Sequence, residues 1–367
     1  MNITFVNATR RWGGVKTWTL DVASWLREHG HNPFIVSRPG PFLDKARALN
    51  IDAMECGFGF DFNPLLVRRF MQLLRQRNTE LLVANVGKDM RTAGVAAKLC
   101  KIPVVHRVGL PGDMRNMFKV RELHRWVKPA ILVPCQFIKD GLLDNLPYLS
   151  PDEIKVIHTG KRPAPSPSDE LRDPLHLIVT SQLNADKGHA DLWQALAKLA
   201  REGHDFRCHV LGTGHEESEL KLLADRLEIS DKLIWHGFVT NVRDHLRKAD
   251  VFVLPSRSEG LPNTLLEAMA EGLVPVSRVV GGVLEVWPEQ LDFLLAGFRH
   301  EGESILEPLR RVFEAEDSDL YAWKKLAWRT CRSKFHIDTQ AEKAAQWFEL
   351  LAEQHRMRLS LNSKGLF

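Results

Sequence analysis

The sequence predicts an α/β protein made of two doubly wound domains, and three observations carry that reading. Short β-branched or apolar runs recur along the chain and alternate with segments of helical periodicity, the pattern of βαβ units and parallel sheets. A proline-rich stretch at 161–174 (Pro163, Pro165, Pro167, Pro174) interrupts that alternation near the middle and reads as a linker. Finally, 367 residues with 44% hydrophobic and 26% charged side chains exceed one ordinary core and have a globular composition. Expected boundaries are 1–165 for a first domain, 166–340 for a second, and 341–367 for a C-terminal helix packing back towards the first.

Taken in order, the strand runs of the first domain are ITFV (3–6), NPFIVS (32–37), TELLVAN (79–85), IPVVHRV (102–108) and AILVPC (130–135). Those of the second are LHLIVTS (175–181), FRCHVLG (206–212), KLIWHG (232–237), DVFVLPS (250–256) and LVPVSR (273–278). Between the first two runs, Val15, Trp18, Val22, Trp25 and Leu26 share one helical face. Asn63 followed by Pro64 starts a basic amphipathic helix, with Leu66, Phe70, Leu73 and Leu74 on one side and Arg68, Arg69, Arg75 and Arg77 around them. A second basic stretch, 107–128, mixes Arg115, Lys119, Arg121, Arg125 and Lys128 with Met114, Met117, Phe118 and Trp126. At the end of the chain, Ala344, Trp347, Phe348 and Leu351 form the stripe of the last helix.

Composition excludes several classes. Five scattered cysteines form no CxxC pair, which argues against a zinc site and a disulfide framework. No apolar run reaches the ~18 residues that span a bilayer, and the first residues lack a signal-peptide pattern, so a cytoplasmic chain is expected. Charge is uneven: 1–170 holds 25 Lys and Arg against 16 Asp and Glu, and the remainder holds 25 against 30. The basic half points to an anionic partner, and the two basic helices to an anionic membrane surface at the inner face of the cytoplasmic membrane. Without a recognition motif, nucleic acid is not expected.

The most informative segment is ADVFVLPSRSEGLPNTLLEAMAEGLVPVS (249–277). A buried strand ends at Pro255, and Asn263 or Thr264 is placed to cap a helix beginning near Leu265. Backbone amides of Leu261 to Leu265, at the positive end of that helix, suit a phosphate. Glu259 and Glu267 set two carboxylates beside this anion site, which is costly unless they bind hydroxyls of a sugar or ribose.

Glu259, seven intervening residues and Glu267, with EG before and EAMAEGLVPV after, resemble the signature of the retaining, metal-independent glycosyltransferases of family 4. Further matches lie at Gly13-Gly14, DKGH (186–189), LGTG (211–214), WHGFVTNV (235–242) and Gly281, Gly282 and Glu285. The resemblance implies the GT-B fold, two Rossmann-like domains facing a central cleft, and transfer of a sugar from a nucleotide-sugar, UDP-sugar favoured. A glycan or glycolipid acceptor in lipopolysaccharide or other cell-surface polysaccharide synthesis is the expected partner. No cofactor and no metal are expected; the alternative is a catalytically silent nucleotide-sugar-binding partner subunit.

By position, the resemblance implies that Glu267 binds the ribose, Glu259 the donor sugar, and Leu261, Pro262, Asn263 and Thr264 the diphosphate, with Lys187 facing the leaving phosphate. Gly14, Gln182, Gly212, Phe238, Val239 and Gly260 complete the donor set, Phe238 and Val239 flanking the base. Gly13, Asn85, His106 and Arg107 form the acceptor set, and Glu259, Lys187 and Arg107 are the catalytic candidates. Two departures stand out. Ser181 and Gln182 replace the family's Gly-Arg, so Arg10, Arg11 or Arg257 is considered as a substitute on the phosphates. Gly109 stands where many relatives carry a histidine, with His106 and Arg107 just upstream. Asp317 and Asp319 form a DxD, read as helix capping rather than as a metal site.

Overall fold

The computed structural model describes residues 1–10, 12–297 and 304–363. Among them, strands β1 (Asn2–Asn7), β2 (Asn32–Ser37), β3 (Asp52–Glu55), β4 (Leu81–Ala84), β5 (Val104–Arg107), β6 (Ala130–Val133) and β7 (Ile154–Val156) form one sheet. Its order is β3-β2-β1-β4-β5-β6-β7, with every neighbouring pair parallel. Strands β8 (Leu175–Thr180), β9 (Phe206–Leu211), β10 (Leu233–Gly237), β11 (Val251–Leu254), β12 (Val274–Arg278) and β13 (Leu295–Ala296) form a second. It runs β10-β9-β8-β11-β12-β13 and is again parallel throughout. The α/β class with two doubly wound sheets is therefore present.

Parallel sheets carry helices on both faces, so their inner strands are apolar without alternation. Strands β4 (LLVA) and β11 (VFVL) are buried at every position. Strands β3 (DAME) and β7 (IKV) lie at sheet edges with partly exposed residues, and β13 is two residues long. The first two lack the apolar run that identifies the others, and the third is too short to show one. In each sheet the chain builds outward from its first strand and then crosses to that strand's other side. The reversals fall between β1 and β4 and between β8 and β11, and crevices at the carboxyl ends of such pairs are where doubly wound folds bind ligands.

Two compact units result, Met1–Gly160 with Ile337–Phe367, and Lys161–His336. The first division precedes the expected 165/166 boundary because the linker belongs to the second unit. Lys161 N–H donates to Phe335 O (2.8 Å), Ala164 N–H to Ala270 O (2.8 Å), and Trp328 Nε1 to Ala164 O (2.8 Å). The last helix, Ile337–Ser363, begins four residues before the expected Ala341 and is part of the first unit. Ile337, Ala341, Ala344 and Phe348 are buried there with Ile3, Trp18, Leu26 and Ile35, and Trp347 and Leu351 pack at the margin.

Helix Pro64–Gln76 is capped as the sequence predicts, Asn63 Oδ1 accepting from Leu65 and Leu66 N–H (3.0 and 3.4 Å). Its Leu66, Phe70 and Leu74 are core residues, so its apolar stripe faces the sheet rather than a membrane. Asp317 and Asp319 sit in the first turn of helix Asp317–Lys334, where the helix dipole favours acids; Glu316 is the N-cap and no side chain caps the turn. All five cysteines are free thiols, and no helix among the described residues is long and apolar enough to cross a membrane.

Candidate active site

In the second unit the motifs expected to hold the donor follow the carboxyl ends of β8, β9 and β11. The loop after β8 carries Lys187, whose Nζ donates to Glu259 Oε1 (2.9 Å) and Ser258 O (3.1 Å). A lysine and a glutamate 72 positions apart are thus joined at the topological switch, both side chains less than one-fifth exposed. Glycines let these loops close. Gly188 (φ +70°) lies against the backbone of Pro255, and a Cβ there would stand 2.1 Å from Pro255 O. Gly281 (φ +56°) is backed onto Glu259 O and Gly260 O, each 2.4 Å from any added Cβ, while Gly282 N–H donates to Gly260 O (2.7 Å). The GG(x)2E segment therefore buttresses the loop that presents Glu259.

Helix Asn263–Glu271 starts two residues earlier than expected, with Pro262 as its N-cap and no side-chain cap. Leu265 N–H closes onto Pro262 O (3.2 Å), which takes it out of the expected phosphate set. The amides of Asn263 and Thr264 lie in the first turn, where a helix has no partner of its own to offer. Asn263 Oδ1 is buried without a partner among the described residues. Glu267, one turn further, is held by Lys161, Nζ to Oε1 2.9 Å. Phe238, just after β10, is 51% exposed, so it is a surface aromatic rather than a core residue, and Val239 beside it is half-buried.

Gln182 is exposed and accepts from Asn184 Nδ2 (3.2 Å). Gly212 donates its amide to Gly237 O (2.8 Å) and packs on Ser181 O. Arg257 does not reach towards Lys187: it forks onto Asp191 (Nη2 to Oδ1 2.9 Å, Nε to Oδ2 3.2 Å), which Arg278 also holds (3.0 Å). Arg10 is exposed in the first unit, and Arg11 lies outside the described residues. Of the three arginines considered as substitutes, Arg257 is thus committed to Asp191 within the second unit.

Of the expected acceptor residues in the first unit, Asn85, His106 and Arg107 are all buried. Asn85 is buried, its Nδ2 donating to Val6 O (2.9 Å), and it ties β1 to the end of β4. His106 is buried with its Nδ1 3.2 Å from His124 Nε2, and burial holds both rings well below the usual histidine range. His106 lies on inner strand β5 and Asn85 directly follows the last residue of β4, and both are interior. Arg107 is 3% exposed, with its guanidinium 4.5 Å above the Trp18 ring. Its Nη1 has no partner among the described residues, and burial lowers its pKa to about 10, still cationic at neutral pH. Gly13 is extended (φ −176°) and caps helix Gly14–Glu28, with nothing near its missing Cβ.

Sequence reasoning missed Asp89. Its carboxylate accepts from the amides of Ala8 (2.9 Å), Asn85 (3.1 Å) and Val86 (3.0 Å), pinning the crevice between β1 and β4. Burial pushes its pKa up to about 8 against the pull of those amides. Its sequence context, GKDM, offers no signal. Lys161 was likewise read only as part of the linker.

Comparison with known proteins decides the family. The profile described as "Glycosyltransferase Family 4" matches residues 12–161, and "Glycosyl transferases group 1" matches 165–319. An uncharacterized glycosyltransferase of Haemophilus influenzae is 38% identical over 271 residues, 71% of this chain and 75% of that one. The chain belongs to the group 1 glycosyltransferases. The chain also resembles the putative colanic acid biosynthesis glycosyltransferase WcaL of Escherichia coli, 34% identical over 131 residues. That match covers 34% of this chain and only about a third (32%) of the relative. The GT-B fold is shown by the crystal structure of Anabaena Alr3699/HepE in complex with UDP-glucose, with TM-score 0.79 and 18% identity over 95% of this chain and 99% of that one.

Proposed function

We propose that this glycosyltransferase moves a sugar from a nucleoside diphosphate sugar, a UDP-sugar first, to a glycan or glycolipid acceptor of cell-surface polysaccharide synthesis, with retention of configuration. The observation that carries the reading is the Lys187–Glu259 pair beside the first turn of helix Asn263–Glu271. A departing nucleoside diphosphate develops negative charge, and a fixed ammonium with first-turn amides stabilises it without a metal ion. Glu259 takes the donor-sugar hydroxyls, Glu267 the ribose diol, and Phe238 offers its exposed ring to the base. The acceptor hydroxyl attacks the anomeric carbon on the face the phosphate leaves; its oxygen forms the new glycosidic bond and its proton passes to the departing phosphate oxygen. No enzymic nucleophile is used. UDP is favoured because the Anabaena neighbour holds UDP-glucose, and a polysaccharide acceptor because of the colanic acid relative.

Arg107 is the cation we assign to the acceptor side of the first unit, with Gly13 and Gly14 at the start of helix Gly14–Glu28. Anionic-surface contact is assigned to the stretch 110–128: Leu110, Met117, Phe118 (70% exposed) and Trp126 are exposed apolar groups set among Arg115, Lys119, Arg121, Arg125 and Lys128. Flotation with anionic vesicles should recover the protein, and Phe118→Ser with Trp126→Ser should release it.

The deciding experiment is calorimetry with UDP-, GDP-, ADP- and CMP-sugars in the presence of a chelator, followed by product analysis of the anomeric linkage. Selective, chelator-resistant binding of one diphosphate sugar is expected. Glu267→Ala should chiefly weaken donor binding, and Glu259→Ala should lower turnover more. Equal donor affinity in wild type and both variants overturns the assignments, and donor binding without transfer across a broad acceptor panel favours the silent partner subunit.

A further inference from the structure

Lys161 belongs to no motif, yet the fold places it in the donor site. It is the first residue of the second unit, and its backbone is anchored: N–H donates to Phe335 O (2.8 Å) and the residue bridges in parallel to His336, at the unit's other end. Its side chain is only 7% exposed and extends to Glu267, Nζ to Oε1 2.9 Å. The glutamate is 21% exposed, so the pair has a buried cationic end and an accessible anionic one. A buried ammonium needs its counter-charge, and the counter-charge is thereby held to one orientation.

We infer that Lys161 is the positioning residue of nucleotide recognition: it keeps Glu267 turned so that one carboxylate oxygen stays with the ammonium while the other accepts from the ribose diol. This rests on the donor-site reading above. A carboxylate already fixed loses no rotamer freedom when the nucleotide arrives, which improves affinity through preorganisation. The backbone anchor at Phe335 and His336 supplies the rigidity, so donor recognition is tied to the two ends of the second unit.

The test compares UDP with 2′,3′-dideoxy-UDP by calorimetry on the full chain. Wild type should prefer UDP by roughly tenfold or more, the range of a hydrogen bond to a charged group. Lys161→Met removes the charge at similar length and leaves Glu267 able to reach water. It should bring the two ligands within about twofold by weakening UDP alone, with binding of the dideoxy form unchanged. Lys161→Arg keeps the cation and should retain the preference. Lys161→Gln serves if the methionine variant melts early, and it should lose the preference as well. A folded Lys161→Met or Lys161→Gln protein with the full diol preference overturns the inference. Wild type binding UDP with no diol preference removes Glu267 from the ribose and the inference with it. Wild type binding no nucleoside diphosphate at all instead defeats the donor-site reading.

Discussion

At the scale of single residues, the donor loop shows how an ordered motif becomes a site. Glu259 faces Lys187 because Gly281 and Gly188 let three loops share a space that a Cβ would fill. Gly281→Ala would place a methyl 2.4 Å from two carbonyl oxygens at positive φ, and should cost on the order of 1–3 kcal/mol in denaturant unfolding while weakening donor binding. Gly13→Ala, at an extended position facing open space, should stay within about 0.5 kcal/mol of wild type. If the two substitutions cost the same, the buttress argument fails. Glu259, Glu267 and Lys187 were singled out in the sequence because their spacing repeats a family pattern, and the structure pairs Glu259 with Lys187. The burial of Asn85 and His106 was not legible, because a polar side chain in or just beyond an apolar strand looks alike whether it faces a ligand or a partner such as Val6 O or His124. Asp89 and Lys161 were missed because their partners are distant in sequence, or backbone groups that no pattern marks.

At the scale of elements, ten strands were legible as apolar runs; β3 and β7 were not, since partly exposed edge residues break the run, and β13, though buried, is only two residues long. The two basic helical stretches look similar in sequence, and burial separates them: Leu66, Phe70 and Leu74 are in the core, whereas Phe118 and Trp126 are exposed. Another feature emerges only from the sheet. His176 on β8, His209 on β9 and His236 on β10 are hydrogen-bonded in a row (His209 Nε2 to His176 Nδ1 3.0 Å, His209 Nδ1 to His236 Nε2 2.9 Å), and His245 stacks edge-on against His236 at 4.5 Å. Burial, neighbouring imidazoles and Arg172 lower His209 to about 4, and burial first also lowers His176, despite Asp250, and His236. The folded pKa values lie below the unfolded value of about 6.5, so the unfolded chain binds more protons on acidification. Stability should be full above about pH 6.5 and fall from there towards pH 4. Thermal melts at pH 7 and pH 5 should show this drop, and His209→Gln should make it shallower; an unchanged pH dependence in the variant sinks the attribution.

At the scale of the whole molecule, two cores mean that unfolding need not be one transition. A nucleoside diphosphate at about 100 times its dissociation constant stabilises its binding unit by ~2.7 kcal/mol. In scanning calorimetry UDP should therefore raise the transition of Lys161–His336, and no shift in any transition counts against the donor site. The sequence by itself determined the α/β class, the two-domain plan and the Glu259–Glu267 block, because strand apolarity, helical period and motif order are local properties of the chain. Only the tertiary structure decided that the linker and its Lys161 belong to the second unit, that the last helix completes the first, and that Asn85 and His106 are interior. Those outcomes depend on which distant groups meet at the end of a parallel sheet, and burial and pairing arise there rather than along the chain.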